Sequence, residues 1–317
     1  MFAKGIEVRP VIPVSLNRFA DGVSIAKITQ SIRRTEVYLF YTPPMCQPDL
    51  GQAELAKLLN ATHFASPRSI KLVLLHFWEG RADRKSEARV SANVKELANV
   101  IEKYPSVDGV ITFDLHAEQI VLAFNHVPVD DLKGRVILAR YAASIPGWTP
   151  ETVGVVAPDV GSVKRNEKFA KRSGFPFKGL VYKERSAPNV ATAKRYIGDP
   201  VAGLHVIHAD DLIDTASTIV SAGAKMMSEG ALSVTACTTQ WLASRKKVEG
   251  EPLLETAEAK FRKAGIKVIA LNTIPRKPSY LEENADFLTM IPCEGMLAET
   301  IVASLTAGSV SILSEEE

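Results

Sequence analysis

Short apolar runs alternate with amphipathic stretches along most of the chain, and this alternation constrains the fold more than any other feature of the sequence. Runs rich in β-branched residues, each of the length of a buried strand, occupy residues 36–41, 71–78, 109–113, 153–157, 179–182, 204–209, 232–237 and 267–271. Helical patterns lie between them; in residues 91–104, for example, Val94, Leu97 and Ile101 repeat at helical spacing. Continuous apolar strands are typical of sheets covered on both faces, so the sequence predicts an α/β fold with parallel sheets and right-handed crossovers.

Chain length and one loop-like segment predict two domains. The chain has 317 residues, enough for two domains of ordinary size. Residues 140–152 combine a Pro-Gly pair with polar residues, which is typical of a domain boundary. Each half also contains an apolar strand that ends in an Asp-bearing turn, within residues 110–119 and residues 206–215. This similarity indicates a duplicated domain.

Charge and cysteine content exclude several classes of protein. The net charge of +2 is too small to predict a nucleic-acid or membrane-surface partner. No apolar run approaches the ~20 residues that span a bilayer. Cys46, Cys237 and Cys293 are far apart and form no C-x-x-C pair, so we expect free thiols in a reducing compartment. The sequence therefore predicts a cytoplasmic protein.

The segment HVIHADDLIDTASTIV, residues 205–220, crowds acidic and hydroxyl side chains behind an apolar run. In open parallel sheets, ligands bind at the carboxyl ends of strands, where this segment is expected to form a turn. Capping of the next helix by Asp214 or Thr215 would leave Asp210 and Asp211 without a role. A sugar-phosphate site explains all four residues, because adjacent acids can accept hydrogen bonds from ribose hydroxyls while the helix start binds a phosphate.

Part of this segment, DDLIDTAST, resembles the ribose-5-phosphate loop of the ribose-phosphate pyrophosphokinase (PRPP synthetase) family. Further segments resemble motifs of the same family: NRFADG (17–22), GRADRK (80–85), FDLHAEQI (113–120), VVAPDVGSVKR (155–165), YKER (182–185) and LNTIP (271–275). The resemblance extends from about residue 15 to about residue 313, which is nearly the whole chain.

The resemblance implies a fold and a reaction. The fold is α/β, with two similar phosphoribosyltransferase-type domains, each a mainly parallel sheet flanked by helices. They would comprise residues 1–143 and residues 144–301, with the C-terminal tail 302–317 returning to the first. The implied reaction is the Mg²⁺-dependent transfer of the diphosphoryl group of ATP to O1 of ribose 5-phosphate, which yields PRPP and AMP. Such a transfer needs alignment and charge neutralisation rather than a covalent nucleophile. Because the chain has no P-loop motif, other groups must bind ATP.

The resemblance also assigns site residues. His116 and Asp159 match metal-contacting positions, a nitrogen and oxygen pair that suits a hydrated Mg²⁺. Lys183 and Arg185 match the cations of a catalytic loop that closes over the transferring group. The remaining assignments are ATP binding by Phe19, Asp21, Arg81 and Arg84, and ribose-5-phosphate binding by Asp210, Asp211, Asp214, Thr215, Ser217 and Thr218. His205 and His208 lie outside these motifs, and we expect them to form structural hydrogen bonds.

Assembly and regulation are implied in the same way. Phe19 matches an aromatic residue that stacks on the adenine of ATP bound by a neighbouring subunit. The resemblance therefore implies a homo-oligomer built from dimers, a hexamer with closed symmetry. Positions that resemble the family's regulatory phosphate or ADP site are Ser31, Arg33, Arg89, Ser309 and Ser311.

Several positions depart from the family's motifs. Val23 stands where many members have a Glu that contacts the adenine amino group, and Ala82 replaces a Gln beside Arg81. Ser217 replaces a Gly and adds a Cβ where the backbone approaches the phosphate, so either the loop accepts a right-handed conformation there or phosphate binding is weakened. The sequence TQW at 239–241 replaces T-H-G. Base selectivity and loop geometry are therefore open.

Two other functions are compatible with such a chain. A non-catalytic regulatory homologue would be expected to lose the acids or the cations of the loops, and this sequence keeps both. A phosphoribosyltransferase, which consumes PRPP, would need a base-binding hood in place of the DLHA and GRADRK segments. An assay of the isolated protein with ATP and ribose 5-phosphate distinguishes all three.

Overall fold

The computed structural model describes residues 10–45, 47–85, 87–184, 193–244, 255–306 and 308–310, with the backbone alone for residues 183, 184, 193 and 194. The chain divides into two compact units. Unit 1 contains the described residues up to Leu132 and those from Ala298, and unit 2 contains those from Lys133 to Leu297.

Unit 1 is built on a four-stranded parallel sheet. Its strands, in spatial order, are β3 (Glu36–Phe40), β4 (Ser69–Leu74), β5 (Val107–Phe113) and β6 (Val129–Leu132). An antiparallel hairpin of β1 (Val14–Arg18) and β2 (Ser24–Ile28) precedes it. The connections contain helices α1 (Pro48–Phe64) and α2 (Asn93–Glu102), and a 3-10 turn at Gly80–Ala82 and another at Glu118–Ala123.

Apolar periodicity explains the core of unit 1. Helix α2 lies within the helix predicted for residues 91–104, and its Val94, Leu97 and Ile101 are buried. These residues join Ile70 and Leu72 of β4 in one hydrophobic cluster. Each fully buried side chain of this kind contributes about 1.5–3 kcal/mol relative to an exposed one. The sheet edge that carries the DLHA segment is therefore fixed by a packed core.

Unit 2 is built on a seven-stranded sheet. Its strands, in spatial order, are β13 (Leu288–Ile291), β12 (Lys267–Leu271), β11 (Ser233–Trp241), β10 (His205–Ile213), β7 (Val153–Ala157), β8 (Phe177–Glu184) and β9 (Ala193–Gly198). The neighbours are parallel, except that β9 is antiparallel to β8. The helices are α3 (Arg135–Ala143), α4 (Val163–Ser173), α5 (Ser217–Ser228), α6 (Ala257–Ala264), α7 (Pro278–Glu283) and α8 (Glu294–Leu305), the last of which ends in unit 1.

The predicted fold class is confirmed, since both units are mainly parallel sheets flanked by helices. The division at Leu132 and Lys133 precedes the boundary expected at residues 143 and 144, because α3 packs against α4 and β11 of unit 2. In the part of the chain that the structure describes, no helix is long and apolar enough to cross a membrane.

One predicted strand is longer than expected, and this corrects the description of the Asp-rich segment. The apolar run at 204–209 predicted a strand followed by a turn at Asp210 and Asp211, but β10 continues to Ile213. The reason is its neighbour β11, which pairs Asp210 with Thr238 and Ile213 with Trp241. The acids therefore stand on rigid strand backbone rather than in a turn.

Candidate active site

Two acidic residues at the end of β10 share one cationic partner. Arg165 of α4 places Nη1 2.6 Å from Oδ1 of Asp210 and 3.1 Å from Oδ1 of Asp211. The backbone N–H of Asp211 also donates to Oδ1 of Asp210, at 3.0 Å. The Asp211 side chain is buried, and those of Asp210 and Arg165 are largely so. The three groups form one compact charged cluster.

This cluster sets the carboxyl groups of Asp210 and Asp211 against the guanidinium of Arg165. Burial raises the pKa of Asp210 well above its usual range, and the neighbouring carboxylates of Asp211 and Asp159 act in the same direction, while Arg165 opposes them. A ligand that donates hydrogen bonds to these oxygens would therefore relieve an existing electrostatic cost. Vicinal hydroxyl groups are such a ligand.

The position of the cluster is fixed by a neighbouring amide. Asn166 is fully buried, and its Nδ2 donates to the carbonyl oxygen of Ala209 at 2.8 Å. Oδ1 of Asn166 accepts the backbone N–H of Ala209, also at 2.8 Å. This two-way contact attaches α4 to β10, so Arg165 is held in register with the acids. Arg165 lies in a segment that the resemblance singled out, but the sequence did not reveal its role.

The turn after β10 ends at the first residue of α5. Ala216 has φ 63°, a left-handed conformation, and Ser217 begins the helix. Ser217 is therefore right-handed helical, and its Cβ causes no backbone strain. Oδ1 of Asp214 accepts the backbone N–H of Ser244, at 3.3 Å. Thr215 and Ser217 are exposed and Thr218 is half-buried, so their hydroxyl groups line the helix start.

A lysine that sequence reasoning missed also contacts this turn. Nζ of Lys260, in α6, donates to the carbonyl oxygen of Thr215 at 2.9 Å and to Oγ of Ser217 at 3.0 Å. The two elements are adjacent in space but more than 40 residues apart in sequence, and Lys260 belongs to no motif. Only the helical packing of α6 on α5 brings them together.

Asp159 follows β7, the neighbour of β10 in the sheet. Its Oδ1 accepts the backbone N–H of Ser162 at 3.0 Å, and Oγ of Ser162 donates to the carbonyl oxygen of Asp159 at 2.9 Å. These contacts cap the turn that leads into α4. Oδ2 accepts no hydrogen bond from a described residue. The structure therefore brings Asp159 to the same sheet edge as Asp210 and Asp211.

In unit 1, the predicted metal and ATP segments lie side by side. His116 is exposed. Gly80 lies next to it, since a Cβ atom added to Gly80 would be 3.5 Å from the Cβ atom of His116. Nε2 of Gln119 donates to Oδ2 of Asp83 at 2.9 Å. These contacts join the GRADRK and DLHA segments, so Arg81, which is exposed, lies on the turn beside His116.

The DLHA turn is held by backbone contacts. Asp114 has φ 42°, and its N–H donates to the carbonyl oxygen of Leu132 at 2.9 Å. The N–H of Leu115 donates to Oδ1 of Asp131 at 3.0 Å. Strand β6 thus fixes the chain directly before His116.

Among the described residues, no group of three or more His, Cys, Asp or Glu side chains is arranged to hold a metal ion. His116 and Asp159 belong to different units. The donor types suit Mg²⁺ only if most of its ligands are water or substrate oxygens, which is usual for this ion in nucleotide sites.

The tip of the β1–β2 hairpin presents an aromatic side chain. Phe19 is 59% exposed, and its N–H donates to the carbonyl oxygen of Val23 at 2.9 Å. Oδ1 of Asp21 accepts the N–H of Val23 at 3.0 Å, and Gly22 has φ 89°. An exposed phenylalanine on so tight a turn suits stacking against a flat ligand.

Other predicted residues lie partly or wholly outside the described structure. The backbone of Lys183 lies near the end of β8, paired with Lys194 of β9, but its side chain is not described. Arg185 and Ser311 lie outside the described residues. Of the other assigned positions, the exposed ones are Arg84, Ser31, Arg33, Arg89 and Ser309.

The TQW sequence has a structural explanation. Trp241 is fully buried, and its ring centroid lies 5.7 Å from that of Phe261 and 6.2 Å from that of Phe287. Its Nε1 donates to the hydroxyl group of Tyr280 at 2.8 Å. This departure from the family motif therefore fills the core of unit 2.

Comparison with known proteins identifies relatives of this chain. Residues 3–104 match the model of the N-terminal domain of ribose phosphate pyrophosphokinase. The ribose-phosphate pyrophosphokinase of Clostridium acetobutylicum is 34% identical over 306 residues, which cover 95% of this chain and 89% of that protein. The enzyme of the same name from Prochlorococcus marinus is 35% identical, with coverage of 95% and 85%. The crystal structure of phosphoribosylpyrophosphate synthetase from Mycobacterium smegmatis superposes with a TM-score of 0.79 at 26% identity, covering 96% of this chain and 94% of that one.

Proposed function

The chain belongs to the ribose-phosphate pyrophosphokinase family, and from this premise we propose that it transfers the diphosphoryl group of ATP to O1 of ribose 5-phosphate, yielding PRPP and AMP. The observation that carries the proposal is the end of β10, where the half-buried Asp210 and the buried Asp211 precede a hydroxyl-lined helix start. A sugar phosphate has the complementary chemistry, with hydroxyl donors at one end and an anion at the other.

The ribose and its phosphate bind along this strand end. Asp210 and Asp211 accept hydrogen bonds from the vicinal hydroxyls, and Arg165 balances part of their charge. The phosphate accepts hydrogen bonds from the N–H groups and hydroxyls of residues 215–218. The positive end of the α5 dipole strengthens this binding.

ATP is bound by groups from unit 1. Arg81 and Arg84 bind its phosphates, Phe19 stacks on its base, and Asp21 contacts the base edge. Lys183 and Arg185 supply the positive charge that stabilises the transferring group. Because negative charge is delocalised over the transferring group in the transition state, fixed cations lower the free energy of the transition state more than that of the ground state.

Mg²⁺ would bind to His116 and Asp159 and would neutralise charge on the phosphate oxygens of ATP. Oδ2 of Asp159, which accepts no hydrogen bond from a described residue, supports its part in this role. The protein's own contribution is to hold the two side chains, through the Ser162 cap and through the Asp131 contact to the DLHA turn.

We propose that the protein is a homo-oligomer built from dimers, a hexamer, in which Phe19 completes a neighbour's ATP site. The exposure of this phenylalanine supports the assignment, since a stacking residue needs a partner from outside its own hairpin. Sedimentation at assay concentration tests it; a fully active monomer contradicts it. Ser31, Arg33, Arg89, Ser309 and Ser311 would form a regulatory site for phosphate or ADP, through which phosphate would activate the enzyme. The reducing cytoplasm suits the free, buried Cys237 and Cys293.

One reaction tests the activity. Purified protein with Mg²⁺, ATP and ribose 5-phosphate should form AMP and PRPP in equal amounts and no ADP, as measured by chromatography. Absence of turnover with every divalent ion, combined with stimulation of an active homologue, would instead support a regulatory subunit. Consumption of added PRPP with a free base would identify a phosphoribosyltransferase.

A variant tests the catalytic loop. Lys183→Ala should lower kcat by about a thousandfold and leave ribose-5-phosphate binding unchanged, because a transition-state contact affects turnover alone. Lys171→Ala, at an exposed position on α4, is the matched control and should behave as the wild type.

A further inference from the structure

Lys260 reaches the start of α5 from a separate, firmly placed helix. The N-terminus of α6 is capped by Thr256, whose Oγ1 accepts the N–H of Ala259 at 3.3 Å. The next residue after the lysine, Phe261, is fully buried in the aromatic core of unit 2. The stem of Lys260 therefore leaves a fixed backbone, and its ammonium group is held 2.9 Å from the Thr215 carbonyl oxygen and 3.0 Å from Ser217 Oγ.

This ammonium group has no acidic partner in the described part of the chain. An ammonium group has three N–H donors, and the contacts to Thr215 and Ser217 use two of them. Of the nearby acids, Asp210 and Asp211 pair with Arg165, and Oδ1 of Asp214 accepts a backbone N–H. One donor of Lys260 thus remains for a ligand.

The position of this charge favours the binding of an anion. The N-terminus of α5 carries the positive end of the helix dipole, and the Lys260 ammonium lies against its first residue. Two positive groups therefore converge on one point. An anion placed between them is attracted by both, and the hydroxyls of Thr215, Ser217 and Thr218 at the same helix start offer further hydrogen bonds.

We propose that Lys260 is a phosphate-binding residue, whose ammonium group contacts the 5-phosphate of the sugar substrate at the start of α5. This rests on the proposed function for the identity of the sugar, while the anion site itself follows from the contacts of Lys260. The hydroxyl group of Ser217, at the position where the family has Gly, gives the ammonium an anchor beside the phosphate. The lysine thereby helps the enzyme select a phosphorylated sugar over a free one.

The test measures binding without turnover. Calorimetric titration with ribose 5-phosphate, and separately with inorganic phosphate, compares the wild type with Lys260→Met, Lys260→Gln and Lys260→Arg. Loss of one charge-assisted hydrogen bond should raise Kd about tenfold to a hundredfold in Lys260→Met. Lys260→Gln keeps a donor for Thr215 and Ser217 but has no charge, and should be nearly as weak. Lys260→Arg should stay within a few fold of the wild type.

Lys263→Met is the matched control. Lys263 lies on the same helix, its side chain is 81% exposed, and its Nζ lies 3.8 Å from a carboxylate oxygen of Glu255. The control should leave both Kd values unchanged. In the turnover assay, Lys260→Met should raise KM for ribose 5-phosphate and leave KM for ATP within about twofold of the wild-type value.

Three results would overturn the assignment. The first is an unchanged Kd in Lys260→Met, and the second is an equal loss in Lys263→Met, which would show a general charge effect. The third is wild-type binding by Lys260→Gln, which would make the lysine a brace for the loop. Failure of the proposed function is a separate result, since a wild type that forms no AMP but binds inorganic phosphate still tests Lys260.

Discussion

The Arg165 guanidinium lies 2.6 Å from the carboxylate of Asp210, and this contact joins two segments that the sequence separates by more than 40 residues. Helix α4 thereby supplies the counter-charge for acids that stand at the end of β10. Asn166, the next residue, bonds both ways to the backbone of Ala209, which holds the backbone of Arg165 beside the strand. The segment at 155–165 and the Asp-rich segment at 205–220 are thus joined by these contacts.

Arg165→Met should weaken both folding and substrate binding. Removal of one partner leaves buried carboxylates unpaired, which should lower the free energy of unfolding by about 2 kcal/mol. Burial already raises the pKa of Asp210, so the native state holds this proton more tightly than the unfolded chain does. The free energy of unfolding that Arg165→Met loses relative to the wild type should therefore grow as pH rises from 6 to 9. Urea unfolding at both pH values measures it.

Lys164→Met is the control for Arg165, since Lys164 is exposed on the same turn of α4. Equal stability of the two variants at pH 9 would show that the arginine does not neutralise the acids. In the turnover assay, Arg165→Met should also raise KM for ribose 5-phosphate by about tenfold, because acids that hold a proton accept fewer hydrogen bonds from hydroxyls.

Glu102→Gln should destabilise the loop before β6. The Glu102 carboxylate is buried, which by itself raises the pKa, but N–H donors of His126, Val127 and Asn125 outweigh burial and lower the pKa to about 2. A lowered pKa means that the stabilisation is present above the ordinary value near 4.5 and is lost as pH falls toward 2. At pH 7 the substitution should cost about 2 kcal/mol.

Hydrogen exchange of the His126 and Val127 amides measures the Glu102 effect locally. Wild-type protection of these amides should fall between pH 5 and pH 2, and protection in Glu102→Gln should be low throughout. Glu96→Gln, at an exposed position on α2, is the control. Equal protection in wild type and Glu102→Gln at pH 7 would show that the carboxylate does not hold the loop.

The sequence predicted most of what depends on local pattern. The α/β class and the order of the motifs follow from short segments, and the family expected from them is confirmed by the relatives. The end of β10 was predicted wrongly, since acids are rare in strands and only pairing with β11 extends the strand through Asp210. Arg165 and Lys260 could not be assigned partners, because those contacts depend on how helices pack on distant strands.

His208→Leu should reduce the acid sensitivity of unit 2. His208 is fully buried; its Nδ1–H donates to the carbonyl oxygen of Val156 at 2.6 Å, while Nε2 has no hydrogen-bond partner among the described residues. These contacts confirm the structural hydrogen bonding expected of this residue. Burial lowers the pKa to about 4, and the Val156 contact opposes this only in part.

The unfolded chain binds a proton at this histidine below pH 6.5, and the native state does so only near pH 4. Stability is therefore present above pH 6.5 and falls as pH drops toward 4, by about 2 kcal/mol. His208→Leu should flatten this part of the profile and stay within about 1 kcal/mol of the wild type at pH 7. Thermal unfolding followed by tryptophan fluorescence measures both. His205→Leu, on the same strand, should keep the acid loss; a steep profile in His208→Leu would contradict the assignment.

Base selectivity should depend on Val23. This side chain is 51% exposed on the hairpin that presents Phe19, and Oδ1 of Asp21 already accepts the N–H of Val23. A carboxylate at position 23 could accept a hydrogen bond from the exocyclic amine of adenine, whereas valine cannot. Sites that pair polar groups discriminate strongly, while apolar contacts discriminate by only about 1–3 kcal/mol, and stacking on Phe19 tolerates any base.

We therefore expect the wild type to accept GTP and CTP better than relatives with Glu at this position do, and Val23→Glu to restore a preference for ATP. The measurement is kcat/KM for ATP, GTP and CTP in the wild type and Val23→Glu, with Val23→Leu as the control that keeps an apolar side chain. If the wild type prefers ATP by about a thousandfold, or roughly 4 kcal/mol, another group reads the amine. In that case Val23→Glu would add little selectivity, because the hydrogen bond it offers would already be made elsewhere.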